Sequence, residues 1–239
     1  FPVAFEEQKV RNTLARGITD TVSGSTVRRW LDADAIKPWR HRSWIFPRDP
    51  DFAAKAERVL DLYDRVWEGR RLRPDEYVIS ADEKSQLQAL QRRHADLPPV
   101  PERTRRVEFE YTRGGTLAYL AALDVHHATV IGRCAKSTGI APFGELVEQV
   151  MTQEPYASAR RVFWVVDNGS SHAGRASIER LEGEWQNLRL IHLPYHASWL
   201  NQIEIYFSIV QRKVLTPKDF DSLDALAERI MGFQDHWQQ

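Results

Sequence analysis

Five consecutive apolar residues, Val162 to Val166 (VFWVV), run straight into Asp167-Asn168-Gly169, and few folds accommodate that junction. An unbroken run of β-branched and aromatic residues reads as a strand buried on both faces, and the Asp-Asn-Gly after it reads as the turn at its exit. Asp167 is thereby set at a strand end. A second apolar stretch, Leu188 to Leu193, predicts a neighbouring strand that Pro194 stops. Ser198 then stands as the N-cap of a predicted helix that carries Trp199, Ile203, Phe207 and Val210 at helical spacing, with Glu204 inside it. Upstream, Glu76 to Ala81 (EYVISA) reads as another strand ending in Asp82, with Glu83 and Lys84 behind it. Three carboxylates at the ends of three elements suit a hard divalent cation, which takes oxygen ligands and retains water. Phosphodiester cleavage is the chemistry this pattern predicts.

Four blocks carry a closer likeness: SGSTVRRWLDADAIKPWRHRSW, SADEKSQLQAL, VVDNGSSH and LPYHASWLNQIEIYFSIVQRKVLTP. In this order, and over essentially the whole chain, they resemble the bacterial insertion-sequence transposases of the mariner-related, IS-six-thirty type. The resemblance implies an α/β fold, an RNase H-like mixed sheet of three antiparallel strands followed by β-α-β-α, preceded by a small helix-turn-helix domain. It implies a DDE triad on Asp82, Asp167 and Glu204, acting as catalytic residues and as ligands of two Mg²⁺ or Mn²⁺ ions. The 36 residues between Asp167 and Glu204 agree with the short gap of that superfamily. Asn168, His172 and Asn201 are expected beside the triad, supporting it or touching substrate. Two ions about 4 Å apart would activate water, neutralise the phosphoryl oxygens and assist the leaving 3′ oxygen. The implied partners are double-stranded DNA, as element inverted repeats and as a TA target, and a second copy of the chain. Ala173 departs from the pattern, since the resembled proteins often carry a basic residue there. The same residues also admit a host endonuclease without strand transfer, or a DNA-binding protein whose catalytic fold has decayed.

Asp124 also closes a predicted strand, in a hairpin of Leu117–Val125 and Ala128–Cys134 around His126-His127, and is the rival for a triad position. Aspartate is common at such a tip for turn reasons alone. Adjacent histidines on a strand point to opposite sides, so His126 and His127 are expected at the surface rather than as a chelating pair.

The net charge of zero hides an uneven distribution. Between Lys9 and Arg48 nine basic residues face three acidic ones, a local excess of six. Residues 1–48 read as a helix-turn-helix segment, 49–75 as an amphipathic helix and linker, and 76–239 as the catalytic domain. The predicted second helix, about Ser25 to Asp32, would offer Ser25, Thr26, Arg28 and Arg29 to phosphates and base edges, with Val27, Trp30 and Leu31 facing inward. Lys37, Arg40 and Arg42, interleaved with tryptophans, are suited to tracking a phosphate backbone, and the same segment reads equally as a linker whose tryptophans pack against the neighbouring helices. The helix after Asp49-Pro50 is predicted to run from Phe52 to Trp67, as far as Gly69. Cys134 is the only cysteine, which excludes an intramolecular disulfide and a thiolate zinc cluster. No apolar run approaches a membrane span, and FPVAFEEQKV is acidic where a signal peptide is basic, so a cytoplasmic, nucleoid-associated protein is expected. Phe1 at one end and an uncapped helix at the other make the chain read as trimmed at both ends.

Overall fold

The computed structural model describes residues 10–11, 14–17, 19–33, 48–94, 96–106, 110–216 and 219–238. They belong to two units, Phe1–Phe46 and Pro47–Gln239. In the first, helix α1 (Gly24–Ala33) starts where the Ser23 hydroxyl accepts the Thr26 N–H at 3.2 Å. Val27 is buried, as its place on the helix predicts, whereas Trp30 is exposed against expectation. The Leu31 side chain lies outside the described set.

The second unit runs α2 (Phe52–Tyr63), β1 (Val66–Trp67), β2 (Arg70–Arg71), β3 (Glu76–Arg92), β4 (Tyr111–Asp124), β5 (Val130–Ala135), α3 (Ile140–Met151), β6 (Arg161–Val166), α4 (Gly174–Glu184), β7 (Leu188–His192), a 3₁₀ turn (Ser198–Leu200), α5 (Ile203–Lys213) and α6 (Leu223–Trp237). The main sheet has the order β5-β4-β3-β6-β7. Strands β3, β4 and β5 are antiparallel, while β6 lies parallel to both β3 and β7. This is the RNase H-like mixed sheet that the motifs imply.

Both faces of the sheet are covered, which is why β6 is apolar throughout. Val162, Trp164 and Val166 join a core under α3 and α4; Phe163 and Val165 join another with Val59 and Leu62 of α2. On that second face α5 and α6 cover the antiparallel half, with Ile203, Tyr206, Phe207 and Val210 packed on Leu87, Ala89, Tyr119 and Ala121. The helix bearing Glu204 is thus fixed to the two longest strands by its buried stripe.

Three elements differ from expectation. Strand β3 continues well past its predicted end at Asp82 to Arg92, interrupted by an irregularity between Lys84 and Leu87 where Gln86 takes a positive φ of 56°. Its Leu87, Ala89 and Leu90 are buried, and the register shifts at Lys84/Leu87 and Gln88/Leu90 break the alternation that would mark a strand in the sequence. Asp82 is consequently mid-strand, opposite Ala121, rather than at a strand exit. Helix α2 stops at Tyr63, and Val66 and Trp67 pair with Arg71 and Arg70 across a Glu68-Gly69 turn whose two residues both have positive φ, as a two-residue hairpin demands. Trp67 packs on Phe163 at 4.8 Å between ring centroids, so its apolar surface is spent on the sheet and not on a longer helix. Ser198 caps no long helix; α5 begins only at Ile203, for a reason found at the site.

Gly132 on β5 marks the tightest approach behind α5. A Cβ there would lie 2.7 Å from Gln234 Oε1 and 2.8 Å from the ring and hydroxyl of Tyr119. Tyr119 is fully buried, and its hydroxyl contacts Gln234 at 2.8 Å and Tyr206 of α5 at 3.2 Å. Gly132→Ala is therefore expected to lower stability by about 1–3 kcal/mol through overpacking, read as a shift in the urea midpoint at constant slope.

Candidate active site

Parallel pairing between β3 and β6 ends at Ser80 opposite Val165. The same register carried two residues further sets Asp82 level with Asp167, the first residue after β6. Past this point β3 and β6 no longer pair, and the crevice where parallel strands part is where α/β sheets place ligands. Val78 and Ser80 precede Asp82 on one face of β3, and Phe163 and Val165 precede Asp167 on the same face of the sheet. Asp82 is buried and Asp167 half-buried.

Asn201 connects this face to α5. Its side-chain amide donates to the Ala81 carbonyl at 3.1 Å and to Asp82 Oδ2 at 3.3 Å, and its oxygen accepts a short bond from the Ser80 hydroxyl. Ser80 Oγ in turn accepts the Ile203 N–H at 2.9 Å, satisfying the first amide of α5. Asn201 makes these bonds from an extended backbone, φ −78° and ψ 109°, which is why the helix cannot begin at Ser198. Glu204 falls in the first turn of α5, where the helix dipole favours a negative charge. It is exposed, and close enough to Asp82 to disfavour that residue's ionisation.

Asp167 is held by a chain of contacts. Its Oδ1 accepts the Gly169 N–H at 2.7 Å and meets His172 Nε2 at 2.5 Å. The other ring nitrogen of the fully buried His172 lies 2.9 Å from Ser171 Oγ, which donates to Glu83 Oε1 at 2.6 Å. His192 Nε2 meets the His172 carbonyl at 2.6 Å, and Asn168 donates to the Leu193 carbonyl at 2.8 Å, so the ends of β6 and β7 are tied together.

The two aspartates are pushed in opposite directions. Burial, then the charges of Asp167, Glu83 and Glu204, raise Asp82 to about 7 against one opposing bond from the Glu83 N–H. The hydrogen bond from His172 holds Asp167 below the usual carboxylate value, helped by the Gly169 N–H and the charges of His172 and His192 and opposed by burial. Neighbouring carboxylates with divergent environments are a hallmark of reactive sites. Among the described residues, no group of three or more His, Cys, Asp or Glu side chains is already arranged as a metal cage. The donor chemistry nonetheless fits a hard cation: a buried carboxyl, Asp82, burdened by the negative charge of Asp167 and Glu204 is what such an ion relieves.

Of the other sequence candidates, Asp124 is taken up by its turn. It accepts the N–H groups of His126 and His127 at 3.1 and 3.2 Å and the Tyr156 hydroxyl at 3.0 Å, and meets His127 Nδ1 at 2.9 Å. It pairs with Ile79, so it lies on the face of the sheet opposite Asp82. His127 is exposed, but His126 is half-buried and reaches the Tyr63 carbonyl at 3.1 Å, which departs from the surface expectation. In the first unit Ser25 and Arg29 are exposed, Ser25 and Thr26 share bonds with Ser23, and Arg29 reaches Thr26 Oγ1 at 3.4 Å. Arg28 is described only as a helical position, and Lys37, Arg40 and Arg42 lie outside the described residues. Sequence reasoning did not find Ser80, Ser171 or His192 at the site. Ser80 carried a signal, a polar residue two positions before Asp82 on a strand of otherwise buried residues; Ser171 and His192 carried none.

An RNase H-like sheet with coupled carboxylates beside its parallel pair defines a nucleic-acid-processing enzyme class. The profile described as "DDE superfamily endonuclease" matches residues 77–227, well over half the chain. The protein belongs to this family, and is an enzyme of the nuclease and transposase kind. Its fold is similar to that in the crystal structure of the Mos1 mariner paired end complex with Mn, at TM-score 0.54 and 16% identity over 97% of this chain and 76% of that one. It is similar as well to the pre-cleavage Mos1 transpososome (TM-score 0.53, 15% identity, 96% and 75% covered) and to the Mos1 paired end complex with Mg (TM-score 0.53, 16%, 96% and 75%). No curated protein sequence matches it. The likeness agrees with the mariner-related motifs read from the sequence. Among the described residues no helix is long and apolar enough to cross a membrane.

Proposed function

We propose that the chain is a DNA transposase that cleaves at transposon ends and joins the freed 3′-OH to target DNA at a TA step, using Asp82, Asp167 and Glu204. The observation that carries this reading is Asp82, buried beside the β3–β6 pair and held back from ionising by that burial and by the charges of Asp167 and Glu204, in a chain of the DDE endonuclease family. The three would hold divalent cations, Mg²⁺ or Mn²⁺, two in number; when bound, such ions activate the attacking oxygen and neutralise charge on the phosphoryl group. Asn201 then fixes the orientation of Asp82, and His172 that of Asp167. Support for the ions and for DNA ends comes from the Mos1 structures, which are paired end complexes with Mn and with Mg. The pairing of ends in those complexes supports action as a homodimer, and Ser25, Thr26, Arg28, Arg29, Lys37, Arg40 and Arg42 would contact the inverted repeats. A cytoplasmic, nucleoid-associated location follows from that role.

Strand transfer with a pre-cleaved end tests the proposal. Joining to target that requires Mg²⁺ supports it; hydrolysis without joining would make the protein a nuclease of the same fold, and DNA binding with neither reaction a decayed remnant.

Ser171 offers a subtler check. Ser171→Ala removes the hydroxyl between His172 and Glu83, and is expected to slow cleavage about tenfold with DNA affinity unchanged, as loss of outer-shell support does. Ser171→Thr, which restores the hydroxyl, should recover much of the rate.

A further inference from the structure

The residues on either side of Glu204 carry apolar surface that the core does not use. Trp199 is 69% exposed, Ile205 63% and Tyr195 55%. Exposed hydrophobic side chains usually sit on mobile loops or scattered over a surface. Here the backbone beneath them is pinned. The Tyr195 N–H donates to Asp49 Oδ2 at 3.0 Å, the Leu200 carbonyl accepts the Tyr63 hydroxyl at 2.9 Å, and successive turn bonds close Ala197 on Pro194, Leu200 on Ala197 and Asn201 on Ser198. Trp199 leans on Phe52 with ring centroids 6.4 Å apart and planes 36° from parallel, which braces one edge and leaves a face open. The Lys55 ammonium sits 5.4 Å from the Tyr195 ring while paired to Asp49 at 2.9 Å. A rigid aromatic held open to solvent contributes little to folding and loses little entropy when something stacks on it.

We propose that Trp199 is a stacking platform for a nucleobase of the DNA strand whose phosphate lies at Asp82, Asp167 and Glu204. The inference rests on the nuclease reading of those carboxylates and adds a base contact to it. Position selects the occupant. Trp199 is two residues from Asn201, so their Cα atoms lie within about 7 Å of each other, and the Asn201 amide touches Asp82. A strand with a phosphate at the carboxylates has its adjoining sugar and base alongside this segment, and the base is the only large flat apolar group it carries. Every base has a π face, so the contact orders the strand without reading its sequence.

The test compares binding of a single-stranded oligothymidylate of about 12 nucleotides with an abasic oligonucleotide of equal length, in Ca²⁺ and EDTA, for the wild type, Trp199→Ala and Trp199→Phe. The wild type is expected to prefer the base-bearing strand roughly tenfold; Trp199→Ala loses that preference, Trp199→Phe keeps most of it, and all three bind the abasic strand alike. A preference unchanged in Trp199→Ala overturns the proposal. So does a change in self-association by sedimentation, which would make the patch a contact between copies of the chain. Cation-dependent cleavage by the wild type is measured in parallel. Its absence alongside a Trp199-dependent preference removes the nuclease reading and leaves the stacking; its presence without that preference removes the stacking alone.

Discussion

Asp167→Asn is expected to lower DNA cleavage by roughly a thousandfold or more while leaving DNA affinity within about threefold of wild type. The magnitude follows because cation-assisted stabilisation of the transition state is worth several kcal/mol and each 1.36 kcal/mol is a factor of ten. The substitution is close to isosteric. An asparagine oxygen can still accept from the Gly169 N–H and from His172, so the turn after β6 keeps its bonds and only the charge is removed. Asp82→Asn and Glu204→Gln should fall by comparable factors, and combining any two should add little, since groups acting as one unit are not additive. EDTA should reproduce the loss in the wild type, and Mn²⁺ or Mg²⁺ should restore it. An Asp167→Asn protein that cleaves at near the wild-type rate, or a wild type indifferent to EDTA, would sink the assignment of these residues.

How much of this was readable beforehand depends on whether the signal was local. Strand β6 was, because burial on both faces leaves an unbroken apolar run, and the turn at Asp167 announces its end. The start of β3 was readable from its β-branched and aromatic residues, but its length was not: the second half leaves β6 and keeps β4 as its only long partner, and a bulge at Gln86 breaks the period-two pattern. The start of α5 was misplaced because Asn201 trades a helical backbone for bonds to Ala81 and Asp82, residues about 120 positions away. The same distance hides the site's supports. His172 could be suspected from its spacing to Asp167, yet nothing local announces that Ser171 reaches Glu83, 88 positions upstream. An acidic residue at a strand exit such as Asp167 is visible in a sequence; the hydrogen bonds that orient it belong to the tertiary fold.

The second large effect concerns Asp82 in the protein free of cations. Its pKa is about 7 in the fold, against 3.8 for an ordinary aspartate. Between those values the folded protein keeps a proton that the unfolded chain has released, so stability falls as pH rises through this window. Below about pH 4 the group carries no penalty, and above about pH 7 the penalty is complete. In EDTA, therefore, the wild type should lose stability on the order of a few kcal/mol between pH 5 and pH 8, as the charge is forced onto a buried carboxyl beside Asp167. Asp82→Asn, which cannot ionise, should be the more stable protein at pH 8, with a flatter profile over the same range. The gain stays below the full electrostatic penalty, since one of the two donors now facing Asp82, the Glu83 N–H or the Asn201 amide, must meet an –NH₂ in place of an oxygen. Mg²⁺ should reverse the ranking: it stabilises the wild type in proportion to the logarithm of its concentration above Kd and does little for the variant. Asp167 works in the other sense, for its lowered pKa adds stability that is lost only as acid protonates it. Equal denaturation midpoints for the two proteins at pH 8 in EDTA would mean that Asp82 carries no such burden, and the electrostatic case for a cation site at this edge of the sheet would go with it.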